Sequence, residues 1–346
     1  MIKRTGRIIC ILLVLFFYSC ATESKTDLEL NVMAWNIWGT LNTAEHFYYN
    51  GKSARERTIE IIKNYETDIV LMVETYGSAA EIAKSLNFHH YTPDPKANLC
   101  IFSRYPLEDV GVINGVSSFS FIRATVRLPS DKKINLYSCW IPMKSKYRLS
   151  DENVADNDIT SSIEAREKTI EKFLINPTVV RDIQATDSIP MIMGGDFNTI
   201  SHLDFTKESA AQGLNYGRVF DRHPVMSLLQ GLGFVDTYRY ANPKITPETL
   251  GHTWTTVGPE YTYVGYDNGG FALTSEMDKY KGVKEVDDHP MSGLKSRIDY
   301  LFSKGKDVEV VSSTDIVKYD GKHFPAFPSD HGGVFTKFKI SVDKSQ

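Results

Sequence analysis

The sequence predicts an α/β protein in which two mixed sheets pack face to face with helices outside, and three observations predict it. Short apolar runs rich in β-branched residues recur along most of the chain. Segments of helical spacing fall between some of them. Other runs follow one another too closely for a crossover helix, as 121–126 and 134–141 do. This excludes a purely parallel βαβ sheet, whose neighbours need a connection of about a dozen residues or more.

The strand-like runs are 30–35, 69–73, 99–102, 121–126, 134–141, 191–193, 298–302 and 334–338. Helices are expected over 53–65, 78–86 and 161–183; in the last, Ile163, Ile170, Phe173 and Leu174 recur at helical spacing among charged residues. Two stretches exceed ordinary loop length, 142–160 and 258–295. The second carries Tyr261, Tyr263, Tyr266 and Tyr280 among glycines and reads as an ordered flap facing the substrate. No repeat or low-complexity linker divides the chain, so 28–342 reads as one domain.

Ahead of that domain, Lys3, Arg4 and Arg7 precede an apolar run at 8–18 that ends in Ser19-Cys20, the layout of a secretory signal. The run is about half of the ~20 residues that a spanning helix takes. Tyr18-Ser19-Cys20-Ala21 resembles the lipobox of bacterial lipoproteins, with Phe17 where leucine is usual. We therefore expect residues 1–19 to be a signal peptide, Cys20 to be lipidated and 20–27 to be a polar tether. The mature protein is then exported and attached to a bacterial membrane, periplasmic or at the cell surface, and we expect a monomer. The 39 Lys and Arg against 43 Asp and Glu give a net charge of −4, and no basic surplus marks a nucleic-acid groove. Cys100 and Cys139, each in a strand-like run, read as small core residues rather than as ligands or a redox pair.

Chemistry concentrates where strands end. Met191-Ile192-Met193-Gly194-Gly195-Asp196-Phe197-Asn198 breaks at two glycines and delivers a carboxylate and an amide two residues apart, which share a face if the run stays extended. The runs at 32–36 and 69–74 each end on one oxygen-bearing side chain, Asn36 and Glu74. Asp299 and Asp330-His331 stand at the beginnings of later strands. In antiparallel neighbours the end of one strand and the start of the next lie on the same edge, so these groups are expected along one rim. A lone Asp after a strand is more often a turn or cap; Glu74 after an almost wholly apolar run is harder to explain so, because burying an unpaired carboxylate is costly.

These residues resemble the endonuclease/exonuclease/phosphatase superfamily over nearly the whole mature chain. Trp35-Asn36-Ile37, Glu74, Ser103-Arg104-Tyr105-Pro106, Gly195-Asp196-Phe197-Asn198, Arg297-Ile298-Asp299-Tyr300 and Ser329-Asp330-His331 occur in the family's order. The resemblance implies a four-layer αββα sandwich of mixed, mostly antiparallel sheets and a Mg²⁺-dependent phosphoesterase, with Mn²⁺ or Ca²⁺ as alternatives. A phosphoester is anionic and needs a cation, which carboxylate oxygens suit. Glu74 with Asn36 and Asp330 is the expected metal set, and His331 oriented by Asp299 the expected acid–base pair. By resemblance Asp196 aligns or deprotonates the nucleophile and Asn198 donates to a phosphate oxygen. Which of Asp196 and His331 takes the proton stays open.

The chain also departs from the family pattern. Trp140 stands where many relatives have a His, and Trp38 where some have a second carboxylate, which puts a second metal and a dedicated leaving-group acid in doubt. His202, Lys144 or Arg148 are candidates to supply that help, and Trp140, His202, Arg148 and Asn198 to contact substrate. Arg104 and Arg297 are expected to hold loops through carboxylates. The preferred function is hydrolysis of a small or lipid-linked phosphoester outside the cytoplasm. An extracellular nuclease and a non-catalytic surface binding protein of the same fold are the alternatives.

Overall fold

The computed structural model describes residues 25–39, 51–142, 156–254, 256, 261–265, 270–273, 275, 277–278, 281, 295–319, 322–323 and 327–343. The first nine strands are β1 (Lys25–Asn36), β2 (Ile69–Val73), β3 (His89–Tyr91), β4 (Cys100–Ser103), β5 (Leu107–Val112), β6 (Phe121–Arg127), β7 (Lys133–Trp140), β8 (Met191–Asp196) and β9 (Val235–Asp236). After them come β10 (Tyr261–Gly265), β11 (Gly270–Leu273), β12 (Asp299–Lys304), β13 (Val308–Asp315), β14 (Lys318–Tyr319), β15 (Lys322–His323) and β16 (Val334–Asp343). The helices are α1 (Ala54–Asn64), α2 (Ala79–Leu86), α3 (Asp156–Leu174), α4 (Pro177–Gln184), α5 (Lys207–Ala211), α6 (Pro224–Gly231) and α7 (Thr237–Ala241).

Two six-stranded sheets form, ordered β13-β16-β1-β2-β4-β3 and β5-β6-β7-β8-β12-β9. Each has a single parallel pair, β1 with β2 and β7 with β8, and its other pairings are antiparallel. Each parallel pair is joined by a crossover that contains helices, α1 in the first case and α3 with α4 in the second.

Period-two alternation sorts the side chains into layers. Leu30, Val32 and Ala34 of β1, Leu71 and Val73 of β2, Ile192 of β8 and Leu301 of β12 fill the space between the sheets. The alternate residues Met33, Trp35, Val70 and Met72 face outward, against Ile61 and Ile62 of α1 and Ile82 of α2. On the other outer surface Tyr137, Met191, Met193 and Phe302 meet Ile170 and Phe173 of α3, Val179 of α4 and Val225 and Leu229 of α6. The architecture is the expected sandwich. Cys100 and Cys139 are buried free thiols.

Four features differ from expectation. β1 begins at Lys25, inside the span read as a tether, because main-chain pairing (Lys25 opposite Asp343, Asp27 opposite Ser341) needs no apolar side chain. The helix expected over 161–183 is two, since Pro177 cannot continue α3 and instead opens α4, capped by the Asn176 side chain. Within the long 258–295 stretch β10 and β11 pair as a hairpin, and α3 already starts inside 142–160.

Candidate functional site

Strand geometry brings the acids to one end of the inter-sheet space. Alternation along β1, β8 and β12 puts Asn36, Asp196 and Asp299 on the same inward faces as Ala34, Ile192 and Leu301. The antiparallel register sets Asp299 opposite Asp196, and the parallel register sets Trp140 opposite Asp196. Glu74 follows the last residue of β2, and Ser329-Asp330-His331 lie just ahead of β16, the neighbour of β1.

Side-chain hydrogen bonds link these groups in two sets, Asn36 with Glu74 and Asp196, and His331 with Asp299. Asn36 Nδ2 donates to Glu74 Oε1 and to Asp196 Oδ2, both at 3.1 Å, while its Oδ1 accepts from the Trp38 amide at 2.8 Å. His331 Nδ1 and Asp299 Oδ2 are 2.9 Å apart. Donor atoms of Asp196, Asp299 and His331 all lie within 4.8 Å of one another. This convergence involves residues expected to move protons, whereas the expected ligands Glu74 and Asn36 join it through the Asn36 amide and Asp330 joins it beside His331. Asp299 Oδ1 and Asp330 Oδ1 are buried without a hydrogen-bond partner among the described residues.

The strand carrying Asp196 ends there, so Asn198 does not continue an extended run; its φ is 48°. The turn still returns it to Asp196. The Asn198 main-chain amide donates to Asp196 Oδ1 at 2.7 Å, and its Nδ2 donates to Asp196 Oδ2 (3.2 Å) and the Ile141 carbonyl (3.0 Å). Asn198 thus has partners within the protein for both side-chain N–H groups. It braces Asp196.

Burial favours the protonated form of three of these acids. Burial raises Glu74 above the usual carboxylate range. Burial, with Asp299 adding to it, lifts Asp196 to about 7, and burial, with Glu74 adding to it, lifts Asp330 to about 7. Burial by itself would lower His331, but Asp299, Asp330 and Asp196 outweigh it and hold the imidazole well above its ordinary value. Orphaned carboxylate oxygens beside further acids are the donor set of a hard divalent cation, so the residues fit such an ion.

The remaining candidates fall elsewhere. Trp140 is at the rim, with its ring edge-on to Phe119 at 5.1 Å. His202 does not join the carboxylate cluster: it bonds Gln230, its charged neighbours are Asp204, Arg222 and Asp236, and burial lowers its pKa. The loop beyond Asn198 carries it toward the buried Asp204 and Asp236. Arg148, Lys144 and Cys20 lie outside the described residues. Arg297 does hold loops, with Nη2 2.7 Å from Asp236 and Nε 3.0 Å from Asp204, and Arg104 bonds Asp68 at 2.7 Å.

Several supporting roles escaped the sequence reading. Trp254 Nε1 donates to Asp330 Oδ2 at 3.2 Å, and the Trp254 main chain bridges both Ser296 and His331. Thr253 Oγ1 accepts from the Asp299 amide, and Ser329 Oγ donates to the Asn36 carbonyl while accepting from the His331 amide. Their signal was weak: Trp254 reads as core packing, and hydroxyl residues next to a motif are common in any loop.

A cluster of buried acids with a histidine, at the rim between two mixed sheets, suits a hydrolytic phosphoesterase or nuclease, and the family match supports that class. The chain belongs to the Endonuclease/Exonuclease/phosphatase family, whose profile matches residues 33–331. An uncharacterized protein of Caenorhabditis elegans, F14F9.5, is 24% identical over 347 residues, covering 92% of this chain and 94% of that one. Among solved structures, an AP endonuclease from Archaeoglobus fulgidus superposes with a TM-score of 0.52 at 15% identity, over 89% of this chain and 98% of that one. Truncated Caenorhabditis elegans TDP2 gives 0.50 at 18% identity, over 90% and 97%. At such identities these structures share the fold.

Proposed function

We propose that the protein is a divalent-metal-dependent phosphoesterase that hydrolyses a small or lipid-linked phosphate ester by attack of water, with Mg²⁺ preferred and Mn²⁺ or Ca²⁺ as substitutes. The observation that supports it best is the 2.9 Å Asp299–His331 bond set among carboxylates with orphaned oxygens. Nδ1 of His331 donates to Asp299, which orients the ring and leaves Nε2 to exchange a proton with substrate or water. Asp196, braced by Asn198 and lifted by burial to about 7, is a further group at the rim that can exchange a proton near neutral pH. Asn36 ties Asp196 to Glu74 and keeps the two acids in a fixed relation. Glu74, with the free oxygens of Asp299 and Asp330, would hold the ion. When bound, a divalent cation neutralises charge on the phosphoryl oxygens. Trp140 and the exposed Phe119 give one side of the rim an apolar surface, which suits a bulky apolar leaving group.

Export and attachment through a lipidated Cys20 belong to the same proposal and rest on the basic, apolar and small-residue pattern of the first 21 positions. A radiolabelled fatty acid should enter the full chain and not its Cys20→Ala variant; equal labelling of both would remove the anchor. A nuclease, as the AP endonuclease sharing the fold is by name, is the second reading.

The purified protein would be assayed with Mg²⁺ or EDTA on bis(p-nitrophenyl) phosphate, p-nitrophenyl phosphate and plasmid DNA. We expect Mg²⁺-dependent ester turnover that falls by about 10²–10⁴ in His331→Ala, with a loss in Glu74→Gln as well. Turnover that ignores EDTA and both substitutions overturns the proposal, and plasmid nicking without ester turnover selects the nuclease.

A further inference from the structure

The backbone of Glu74 is held in an unfavourable conformation, and one buried side chain helps to hold it. Immediately after β2, Glu74 takes φ 59°, a left-handed region that residues with a Cβ seldom adopt. On one side its carbonyl accepts from Gly39 N at 3.0 Å, and Val73 O accepts from Ile37 N at 3.0 Å. On the other side stands Asn98, 1% exposed. Asn98 Oδ1 accepts from the Glu74 amide at 2.9 Å, and its carbonyl accepts from the Thr75 amide at 2.9 Å. Asn98 Nδ2 donates to the Phe119 carbonyl at 2.8 Å. One amide side chain therefore joins the Glu74 turn to the loop that carries the aromatic rim. The Glu74 carboxylate is aimed at Asn36 from this clamped turn.

We propose that Asn98 is a positioning residue: by fixing the Glu74 peptide in its left-handed turn it aims the carboxylate into the acid cluster and so sets the affinity of the site for a divalent cation. The inference rests on reading the cluster as a cation site. The partners of Asn98 are main-chain groups, and it acts through the Glu74 main chain. A purely structural Asn98 would affect stability and leave cation affinity alone.

Binding of Mn²⁺ to the purified full chain, read from the loss of the free-ion electron paramagnetic resonance signal, separates these cases. Wild type, Glu74→Gln, Asn98→Leu and Asn98→Asp would be compared, with thermal unfolding recorded for each. We expect Asn98→Leu to raise the Mn²⁺ Kd about tenfold or more, the range in which removing a residue that orients a ligand acts. Asn98→Asp keeps an oxygen for the Glu74 amide and should recover most of the affinity. Wild-type affinity in Asn98→Leu, or equal losses in Asn98→Leu and Asn98→Asp, overturns the proposal. Unchanged binding in Glu74→Gln instead removes the cation reading beneath it. Should Asn98→Leu fail to fold, Asn98→Ser, whose hydroxyl is too short to span both loops, carries the same expectation.

Discussion

At the scale of residues, the site is a contest between burial and charge. Asp196 and Asp330 are pushed up to about 7, so each binds its proton more tightly in the folded chain than in the unfolded one. Stability from such a group is complete below its unfolded pKa and is lost as pH climbs through the folded value. His331, also raised, acts in the same direction. The metal-free protein should therefore melt at lower temperature at pH 8 than at pH 5.5, and Mg²⁺ should stabilise it more at pH 8, where the acids are ionised. Calorimetry at both pH values with EDTA or Mg²⁺ checks this; a metal-free melting temperature that rises with pH contradicts it. Trp254→Phe deletes the N–H that holds Asp330 Oδ2 and should weaken Mn²⁺ binding by about tenfold. Asn36, Glu74, Asp196, Asp299, Asp330 and His331 were legible in the sequence because each ends or begins a strand-like run. Trp254, Thr253 and Asn98 were not, because nothing nearby in the chain distinguishes a residue that orients a ligand from one that packs.

At the scale of elements, the strand ends do the positioning, and glycines let them approach. Gly195, the penultimate residue of β8, has φ 138°, and a Cβ there would collide with the Cys139 carbonyl of β7. Gly195→Ala should therefore force β7 and β8 apart and cost about 3 kcal/mol or more. Urea unfolding reads this as a lower midpoint, and a midpoint within error of wild type would show that the pair yields without cost. Periodicity located β2 to the residue, at 69–73, and both edges of the first helix to within one position. It missed β5, whose Val110 and Val112 are exposed at the edge of a sheet and give no core-facing pattern. It also joined α3 to α4, because apolar spacing carries across Pro177 although the helix cannot.

At the scale of the whole molecule, one buried ionic network fastens the site to its frame. Arg297, two residues before Asp299, pairs with Asp204 from the loop after Asn198 and with Asp236 at the start of α7, and Arg239 of α7 adds a 2.7 Å bond to Asp204. The Arg297 guanidinium also lies over the Tyr300 ring at 4.5 Å. Arg297→Met would leave two acids buried without their shared partner and should cost about 3–5 kcal/mol, read in urea unfolding. Turnover that survives while stability falls would place the network outside catalysis.

The sequence by itself determined the sandwich and the chemistry of its rim, because both are written in local patterns: period-two burial, breaks at glycine, and oxygen-bearing residues at strand ends. Tertiary structure alone decided which carboxylate oxygens stay free and which residues aim them. The bonds concerned span 160 positions between Asn36 and Asp196 and 296 between Trp35 and His331. Such contacts exist only once register and sheet packing are set, and no local pattern in the chain encodes them.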